Sequence, residues 1–364
     1  MTDGERAAAA GRRDRRRDGN KAGRRRKSSK SRQEDRYAAL DLGTNNCRLL
    51  IAAPRGKQLR IVDAFSRIVR LGEGVSRSGV LSEAAMERAI GALTVCAEKM
   101  QRRGVTHSRC IATQACRGAE NGAAFLDRVQ RETGLRFDII SPEEEARLAV
   151  AGCADLLDEQ VSAGLIFDIG GGSTEISWMR RRENEGLAEV VAWTSLPVGV
   201  VSLAEKWGGR EIDLDRYEAM VNDVRTGIAG VGDPAGMKAV FDNDGAHLLG
   251  TSGTVTSIAG VHLELDRYRR DRVDGLWLSA DDTRAVTENL RAMSFEERSK
   301  VPCIGPERAD LVVCGCAILE ALLREWPSSR VRVADRGLRE GILEDLARKA
   351  RQDRNRRRRQ TKKT

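Results

Sequence analysis

The fold is decided by two short stretches of sequence, Asp41-Leu-Gly-Thr-Asn-Asn46 and Asp168-Ile-Gly-Gly-Gly-Ser173. In each, an aspartate ends an apolar run, a turn of small residues follows, and a second apolar run leads away. Apolar runs joined by a Gly or Asn turn predict a strand, a tight turn and a strand. A single Asp-x-Gly is a weak signal, whereas two copies in the same setting indicate an internal duplication.

The segments outside these two turns predict alternating strands and helices. Ser141-Pro-Glu-Glu144 has the pattern of a capping box with proline at the first helical position. The alternation as a whole favours an α/β fold built on mixed sheets. Further strands are predicted at residues 59–69, 109–113, 137–140, 247–249 and 330–333. Helices are predicted at residues 82–103, 123–131, 141–157, 213–228, 279–293, 307–325 and 338–349.

Charge is unevenly distributed along the chain, which has 364 residues and a formal net charge of +9. Residues 1–36 hold 14 basic and 6 acidic side chains, and residues 351–364 hold 8 and 1. The body between them has 41 basic and 47 acidic side chains and is therefore slightly acidic. Both ends lack apolar periodicity, which predicts disordered basic tails at residues 1–36 and 351–364. We expect domains at residues 37–157 and 158–350, with the last helix packing back on the first domain.

Several protein classes are disfavoured by composition and motifs. No apolar run approaches the ~20 residues that span a bilayer, and the first 36 residues lack the apolar core of a secretory signal. The eight cysteines lie in apolar segments without Cys-x-x-Cys spacing, which predicts reduced thiols in a cytoplasmic protein. The histidines are scattered, and no zinc-protease, nucleophile-elbow or Walker A motif occurs. We therefore expect chemistry from carboxylates, hydroxyls, glycines and arginines.

The residues of the two turns are suited to holding a chain of phosphates. Glycines let several backbone N–H groups converge on an anion, and hydroxyl and amide side chains add donors. Carboxylates such as Asp41 and Asp168 are costly beside a phosphate unless a cation lies between, and Mg²⁺ prefers such oxygens. Ordinary hairpins in a duplicated sheet are the alternative interpretation. The candidate substrate-binding residues are Gly43, Thr44, Asn45, Asn46, Gly170, Gly171, Gly172, Ser173 and Thr174.

Three further motifs accompany the two turns: Ile140-Ser-Pro-Glu-Glu-Glu-Ala-Arg147, Gly250-Thr-Ser-Gly-Thr254 and Gly337-Leu-Arg-Glu-Gly341. Together the five motifs resemble the exopolyphosphatase/guanosine pentaphosphate phosphatase (Ppx/GppA) family, over nearly all of residues 37–350. The resemblance implies a fold of the actin-like ATPase and sugar kinase superfamily. In that fold, two ribonuclease H-like α/β domains enclose an active-site cleft. Asn46-Cys47 departs from the family pattern, which commonly has Ser followed by an apolar or aromatic residue.

The resemblance also implies roles for individual side chains. Glu145 matches the glutamate that activates water, and Arg117 matches an arginine that faces the cleft and can clamp phosphate oxygens. Asp41, Asp168 and Glu175 would hold Mg²⁺ or polarise the water. Structural alternatives stay open: first-turn acids suit the helix dipole, which would keep Glu145 ionised, and Arg117 and Glu175 could be solvent-exposed.

Other parts of the cleft are less specific. The motif at 250–254 occupies the place where ATP-using relatives contact adenosine, and here it would help to close the cleft. Four arginines could line the cleft or form salt bridges. The residues expected to close the cleft are Gly250, Ser252 and Gly253. The four arginines are Arg67, Arg70, Arg308 and Arg339.

The leading functional hypothesis is an exopolyphosphatase, which releases terminal orthophosphate from inorganic polyphosphate with Mg²⁺. Hydrolysis of guanosine pentaphosphate at its 5′ γ-phosphate is the alternative within the family. An actin-like kinase or ATPase, and a non-enzymatic polyanion binder that uses the tails, are alternatives of other classes. The basic tails could contact polyphosphate or RNA. Relatives often dimerise, so a homodimer is a further possibility; no membrane partner is expected.

Overall fold

The structure, a computed structural model, describes residues 35–56, 58–181, 188–243 and 245–360. The chain from Asp35 onward forms one compact unit. The predicted N-terminal tail, apart from Asp35 and Arg36, lies outside the described residues. Among the described residues, no helix is long and apolar enough to cross a membrane.

The described residues form eleven strands and fourteen α-helices. The strands are β1 (Tyr37–Leu42), β2 (Asn46–Arg55), β3 (Gln58–Ile68), β4 (His107–Ala112), β5 (Phe137–Ile139), β6 (Ala163–Ile169), β7 (Thr174–Arg181), β8 (Ala188–Leu196), β9 (Ala246–Thr251), β10 (Trp277–Ser279) and β11 (Arg330–Ala334). The helices are α1 (Val75–Ser78), α2 (Glu83–Arg102), α3 (Gln114–Gly118), α4 (Gly122–Thr133), α5 (Pro142–Cys153), α6 (Val200–Trp207), α7 (Leu214–Ala229), α8 (Lys238–Asp242), α9 (Ser252–His262), α10 (Arg270–Val273), α11 (Ala280–Ala292), α12 (Phe295–Lys300), α13 (Val312–Glu325) and α14 (Leu338–Gln360).

The strands form two sheets with the same connectivity. The first sheet has the order β3-β2-β1-β4-β5, and the second has the order β10-β11-β9-β6-β7-β8. In each, an antiparallel meander (β1–β3 or β6–β8) is followed by strands that pair in parallel with its first strand or with each other. Strand β10 is an extra edge strand on the second sheet. This repeated topology is the expected duplication of an α/β fold, with two actin-like domains.

Each sheet is covered by its own apolar core, and the last helix joins the two halves. One core packs α2 and α4 against the first sheet, and a larger one packs α7, α9 and α13 against the second. Ile342, Leu343 and Ala347 of α14 are buried against Tyr37, Ala39 and Leu50 of the first sheet. Since α14 follows β11 of the second sheet, it brings the chain back to the first.

The last helix is longer than the sequence predicts, because α14 continues to Gln360 instead of ending near Lys349. Residues 351–360 of the predicted disordered tail are therefore helical. Arg and Gln have high helix propensity, which favours this extension. Arg354 also forms an ion pair with Asp35 at 2.9 Å, which connects this end of the helix to the chain just before β1.

The start of α13 and the capping pattern of α5 also differ from prediction. Helix α13 begins at Val312 instead of residue 307, and the residues before it form turns whose carbonyl groups bind arginine side chains from elsewhere in the chain. Arg70 donates to the carbonyl of Glu307 at 3.0 Å, and the buried Arg298 donates to that of Ala309 at 3.0 Å. At α5, Ser141 accepts from the Glu144 amide as expected, but the Glu144 carboxylate accepts from Arg109 instead of completing the capping box.

Candidate active site

Most of the predicted site residues lie in one cleft between the two sheets. Asp41 lies near the end of β1 and Asp168 near the end of β6, the equivalent central strands of the duplicated sheets. The turn after each aspartate reaches the cleft. We call Asp41–Asn46 loop 1 and Asp168–Ser173 loop 2. The cleft is also lined by Arg48, Thr113, Gln114, Glu145, Glu175, Val200, Ser252, Gly253, Ser257, Arg308, Leu311, Asp335 and Arg339.

The two loops have the same backbone closure. Gly43 N donates to Asn46 O at 2.9 Å in loop 1, and Gly170 N donates to Ser173 O at 2.9 Å in loop 2. The loops also contact each other across the cleft: a Cβ added to Gly171 would lie only 2.9 Å from Thr44 Cβ. Glycine at 171 is therefore required for the two loops to approach this closely.

Glu145 lies in the first turn of α5 and is buried among other acids. Burial raises its pKa well above the ordinary value, the nearby Glu175 raises it further, and Arg117 opposes the shift. Arg117 Nη1 is 3.2 Å from Glu145 Oε2, and it also donates to the Ile140 carbonyl at 2.8 Å. Burial therefore acts on the pKa of Glu145 in the direction opposite to that expected from its first-turn position.

Three more carboxylates, those of Asp41, Asp168 and Glu175, lie in the cleft near Glu145, and we call these three the acidic wall. Burial raises the pKa of Asp41 to about 6 against the opposing charges of Arg48 and Arg339, and burial also raises the pKa of Asp168. Burial raises the pKa of Glu175 to about 7, and Asp168 adds to the shift. Glu175 is 4% exposed, so the solvated-strand alternative for this residue is excluded.

The acidic wall is suited to a hard cation. Asp41 Oδ1 is buried and has no hydrogen-bond partner among the described residues, which leaves this oxygen free for a ligand. No set of three or more His, Cys, Asp and Glu side chains in the described part of the chain forms a ready-made metal site. Mg²⁺ is usually held by one or two carboxylates, with water and substrate phosphates completing its shell. The donor set therefore fits Mg²⁺ bound together with a phosphorylated substrate.

Three predicted residues lie outside the cleft lining. Thr174 is fully buried and its hydroxyl donates to the Val198 carbonyl at 2.7 Å. Gly250 faces the protein interior, where an added Cβ would lie 2.5 Å from the Phe167 ring. Arg117 stands behind Glu145 and contacts it directly, as described above. The remaining predicted residues of the two turns, with Ser252 and Gly253, line the cleft.

Arg48 and Gln114 are cleft residues that the sequence argument did not select. Arg48 pairs with Asp41 across β1 and β2, in the register position that Glu175 takes opposite Asp168 in the second sheet. Its position two residues after Asn46, and so on the same face of β2, was the available signal. Of the four arginines left open, Arg308 and Arg339 line the cleft, whereas Arg70 forms an ion pair with Asp310.

Comparison with known proteins gives a consistent result. The profile of the Ppx/GppA phosphatase family matches residues 50–350. Exopolyphosphatase 2 of Mycobacterium tuberculosis is 29% identical over 338 residues, which cover 86% of this chain and 98% of the relative. The solved structure of the Aquifex aeolicus Ppx/GppA enzyme is 29% identical, with a TM-score of 0.69, over 85% of this chain and 98% of that one.

A second solved structure is similar in fold. The exopolyphosphatase of Cytophaga hutchinsonii has a TM-score of 0.76 at 24% identity, over 85% of this chain and 97% of that one. The profile match, the duplicated sheets and the cleft between them lead to one conclusion. The chain belongs to the Ppx/GppA phosphatase family and is a hydrolase of the phosphoanhydride type.

Proposed function

We propose that the chain is an exopolyphosphatase, which hydrolyses the terminal phosphoanhydride bond of inorganic polyphosphate and releases orthophosphate. The observation that carries this proposal is the pair of glycine- and amide-rich loops that contact each other in one cleft beside buried carboxylates. Similarity to the mycobacterial exopolyphosphatase supports the same substrate class.

In the proposed reaction, the two loops bind the terminal phosphoryl group. Their backbone N–H groups, with the side chains of Thr44, Asn45 and Ser173, are donors for its oxygens. Arg48 and Arg339 balance the negative charge of the neighbouring phosphates, because a guanidinium can bind two phosphate oxygens at once. In-line attack by water then requires little covalent chemistry from the protein beyond positioning and charge stabilisation.

Glu145 is the proposed water-activating residue. A carboxylate with a raised pKa is a stronger proton acceptor once it is ionised, which suits a general base near neutral pH. Arg117 does not line the cleft, so we assign it a positioning role: its hydrogen bonds to Glu145 and to the Ile140 carbonyl hold the carboxylate in place.

We propose Mg²⁺ as the cofactor, held by Asp41 and Asp168 with Glu175 close by. When bound, the cation would neutralise charge on the phosphoryl oxygens and screen the aspartates from the substrate. The protein's own contribution is the buried, unpartnered Oδ1 of Asp41 and the two wall carboxylates whose pKa values burial raises. We also propose a reducing, cytoplasmic location, because all eight cysteines are buried free thiols.

The test is phosphate release by the purified protein with Mg²⁺, measured on polyphosphates of several lengths, guanosine pentaphosphate and ATP. The proposal predicts the highest kcat/KM on polyphosphate and loss of activity on chelation. Preferred turnover of ATP would contradict it.

Guanosine pentaphosphate is the second candidate substrate. The cleft continues past the two loops to Ser257 and Asp335, which leaves room beside the phosphate site for a nucleoside. A higher kcat/KM on guanosine pentaphosphate than on polyphosphate would favour this function within the same family.

A further inference from the structure

Loop 1 is held from its own half of the molecule by the segment that follows β3. Val69 N and Arg70 N both donate to the Asn45 carbonyl, at 2.9 and 3.0 Å, and Gly72 N donates to the Thr44 carbonyl at 2.9 Å. A Cβ added to Gly72 would lie 2.3 Å from Thr44 Cγ2, so this segment packs directly against the loop.

The same segment also contacts the second half, through α6. Gly74 N donates to Glu205 Oε1 at 2.7 Å, and the Ser76 hydroxyl donates to Glu205 Oε2. Helix α6 is in turn bonded to loop 2 at its start, because Val200 N donates to the Gly170 carbonyl at 3.0 Å and Val201 N to that of Gly171 at 2.8 Å. Hydrogen bonds at both ends of this segment and of α6 therefore connect loop 1 with loop 2 by a second route, in addition to the direct contact of the loops.

Arg70 adds a second connection between the halves. Its guanidinium binds Asp310 through both carboxylate oxygens, at 2.9 and 3.0 Å, and donates to the Glu307 carbonyl at 3.0 Å. Asp310 lies two residues after Arg308, which lines the cleft. The backbone of Arg70 has φ +46°, in the left-handed region that is unfavourable for a residue with a side chain.

The exposure of this ion pair argues against a mainly stabilising role. The side chains of Arg70 and Asp310 are 31% and 22% exposed, and partly exposed pairs usually contribute little to stability. Two parallel hydrogen bonds fix the relative orientation of the Arg70 and Asp310 side chains as well as their distance, which suits a positioning role. The pair joins the two halves of the molecule, close to Arg308 and to the segment after β3 that holds loop 1.

We propose that Arg70 and Glu205 are positioning residues that set the separation of the two phosphate loops. They do so through the contacts between the two halves that involve Arg70, Gly72, Gly74, Ser76, Glu205 and Asp310, which we call the bridge. The inference rests on the proposed function in so far as the loops bind the substrate's phosphates. Loss of either residue lets loop 1 move away from loop 2 and weakens substrate binding, while Glu145 and the acidic wall stay in place.

The experiment compares Arg70→Ala, Arg70→Gly, Asp310→Ala and Glu205→Ala with Arg77→Ala, an exposed arginine of the same segment. Arg70→Gly removes the guanidinium and relieves the positive φ, so it separates side-chain loss from backbone strain. Hydrogen–deuterium exchange of the loop 1 and loop 2 peptides is measured without substrate. KM and kcat for phosphate release from polyphosphate are measured with Mg²⁺.

The bridge variants are expected to exchange faster in both loops and to raise KM roughly tenfold, the scale of coupling between contacting residues, with a smaller change in kcat. Arg77→Ala is expected to behave like the unchanged protein. The proposal would be overturned if both Arg70 variants had the same exchange rates and the same KM as Arg77→Ala. It would also be overturned if the bridge variants had a lower Tm but unchanged KM and unchanged exchange rates. If the unchanged protein released no phosphate from polyphosphate, the proposed function would fail, and the exchange rates would still decide the role of the bridge.

Discussion

Loop 1 and loop 2 have equivalent turns, but the strand residues paired with their two aspartates carry opposite charges. Gly43 and Gly170 close the two turns with hydrogen bonds of the same length, and each loop follows an aspartate on the central strand of its sheet. In the register position opposite that aspartate, the first sheet carries Arg48 and the second carries Glu175. Duplication thus supplied two copies of one backbone geometry. A difference at one strand position placed a cation, Arg48, on the first sheet and an additional carboxylate, Glu175, on the second.

The largest effect is expected from Glu145, which stands on the first half and faces the acidic wall. Glu145→Gln should preserve the fold and lower kcat by at least ~100-fold, because an acid–base group typically contributes this much. Steady-state phosphate release from polyphosphate measures it. Glu143→Gln, the same change at an exposed residue of the same helical turn, is the control. Near-normal turnover by Glu145→Gln would remove the assignment.

Removing each of the two opposed charges should have different consequences. Arg48→Gln is expected to raise KM for polyphosphate by about 10- to 150-fold, since a charged hydrogen bond contributes about 1.5–3 kcal/mol. Glu175→Gln should instead raise the Mg²⁺ concentration needed for half-maximal activity. Titrations of substrate and of Mg²⁺ on both variants measure the two effects. If both variants showed the same shifts in the substrate titration and in the Mg²⁺ titration, Arg48 and Glu175 would not have different roles.

The loops also differ in how much space their glycines have. An added Cβ at Gly171 would lie 2.9 Å from Thr44, whereas at Gly43 its nearest neighbour, the Asn46 carbonyl oxygen, is 3.4 Å away. Gly171→Ala should therefore separate the loops and reduce kcat/KM several-fold. The free energy of unfolding of Gly43→Ala should lie within about 0.5 kcal/mol of that of the unchanged protein. Kinetics and thermal unfolding of both variants test this, and equal effects at the two positions would contradict it.

The acidic wall should make the stability of the metal-free protein depend on pH. Burial raises the pKa of Asp41 from 3.8 to about 6 and that of Glu175 from 4.5 to about 7. The folded state therefore binds more protons than the unfolded state between those values, and its stability should fall as pH rises through about 4–7. Thermal unfolding with EDTA should show this decrease, and Mg²⁺ should reduce it. A Tm that rises over this range in EDTA would contradict the assignment of these carboxylates.

Much of the site was predictable from sequence because its elements are local. The glycine and amide turns at 41–46 and 168–173, and the start of α5 near Ser141, depend on residues within a few positions of each other. The lengths of α13 and α14 were not predictable in this way. The turns before α13 bind Arg70 and Arg298 through the Glu307 and Ala309 carbonyls, and these contacts join residues that are distant in sequence or on another element.

The sequence by itself determined the duplicated strand–turn–strand units, their aspartates and the family of the chain. The tertiary structure decided which side chains share the cleft. Arg117 meets Glu145 across 28 positions of sequence, and Arg70 meets Asp310 across 240. Such contacts depend on how the two sheets pack and not on local propensity, because a guanidinium has no preferred partner until folding brings one within reach. Packing therefore placed Arg117 against Glu145 and brought Arg48 into the cleft.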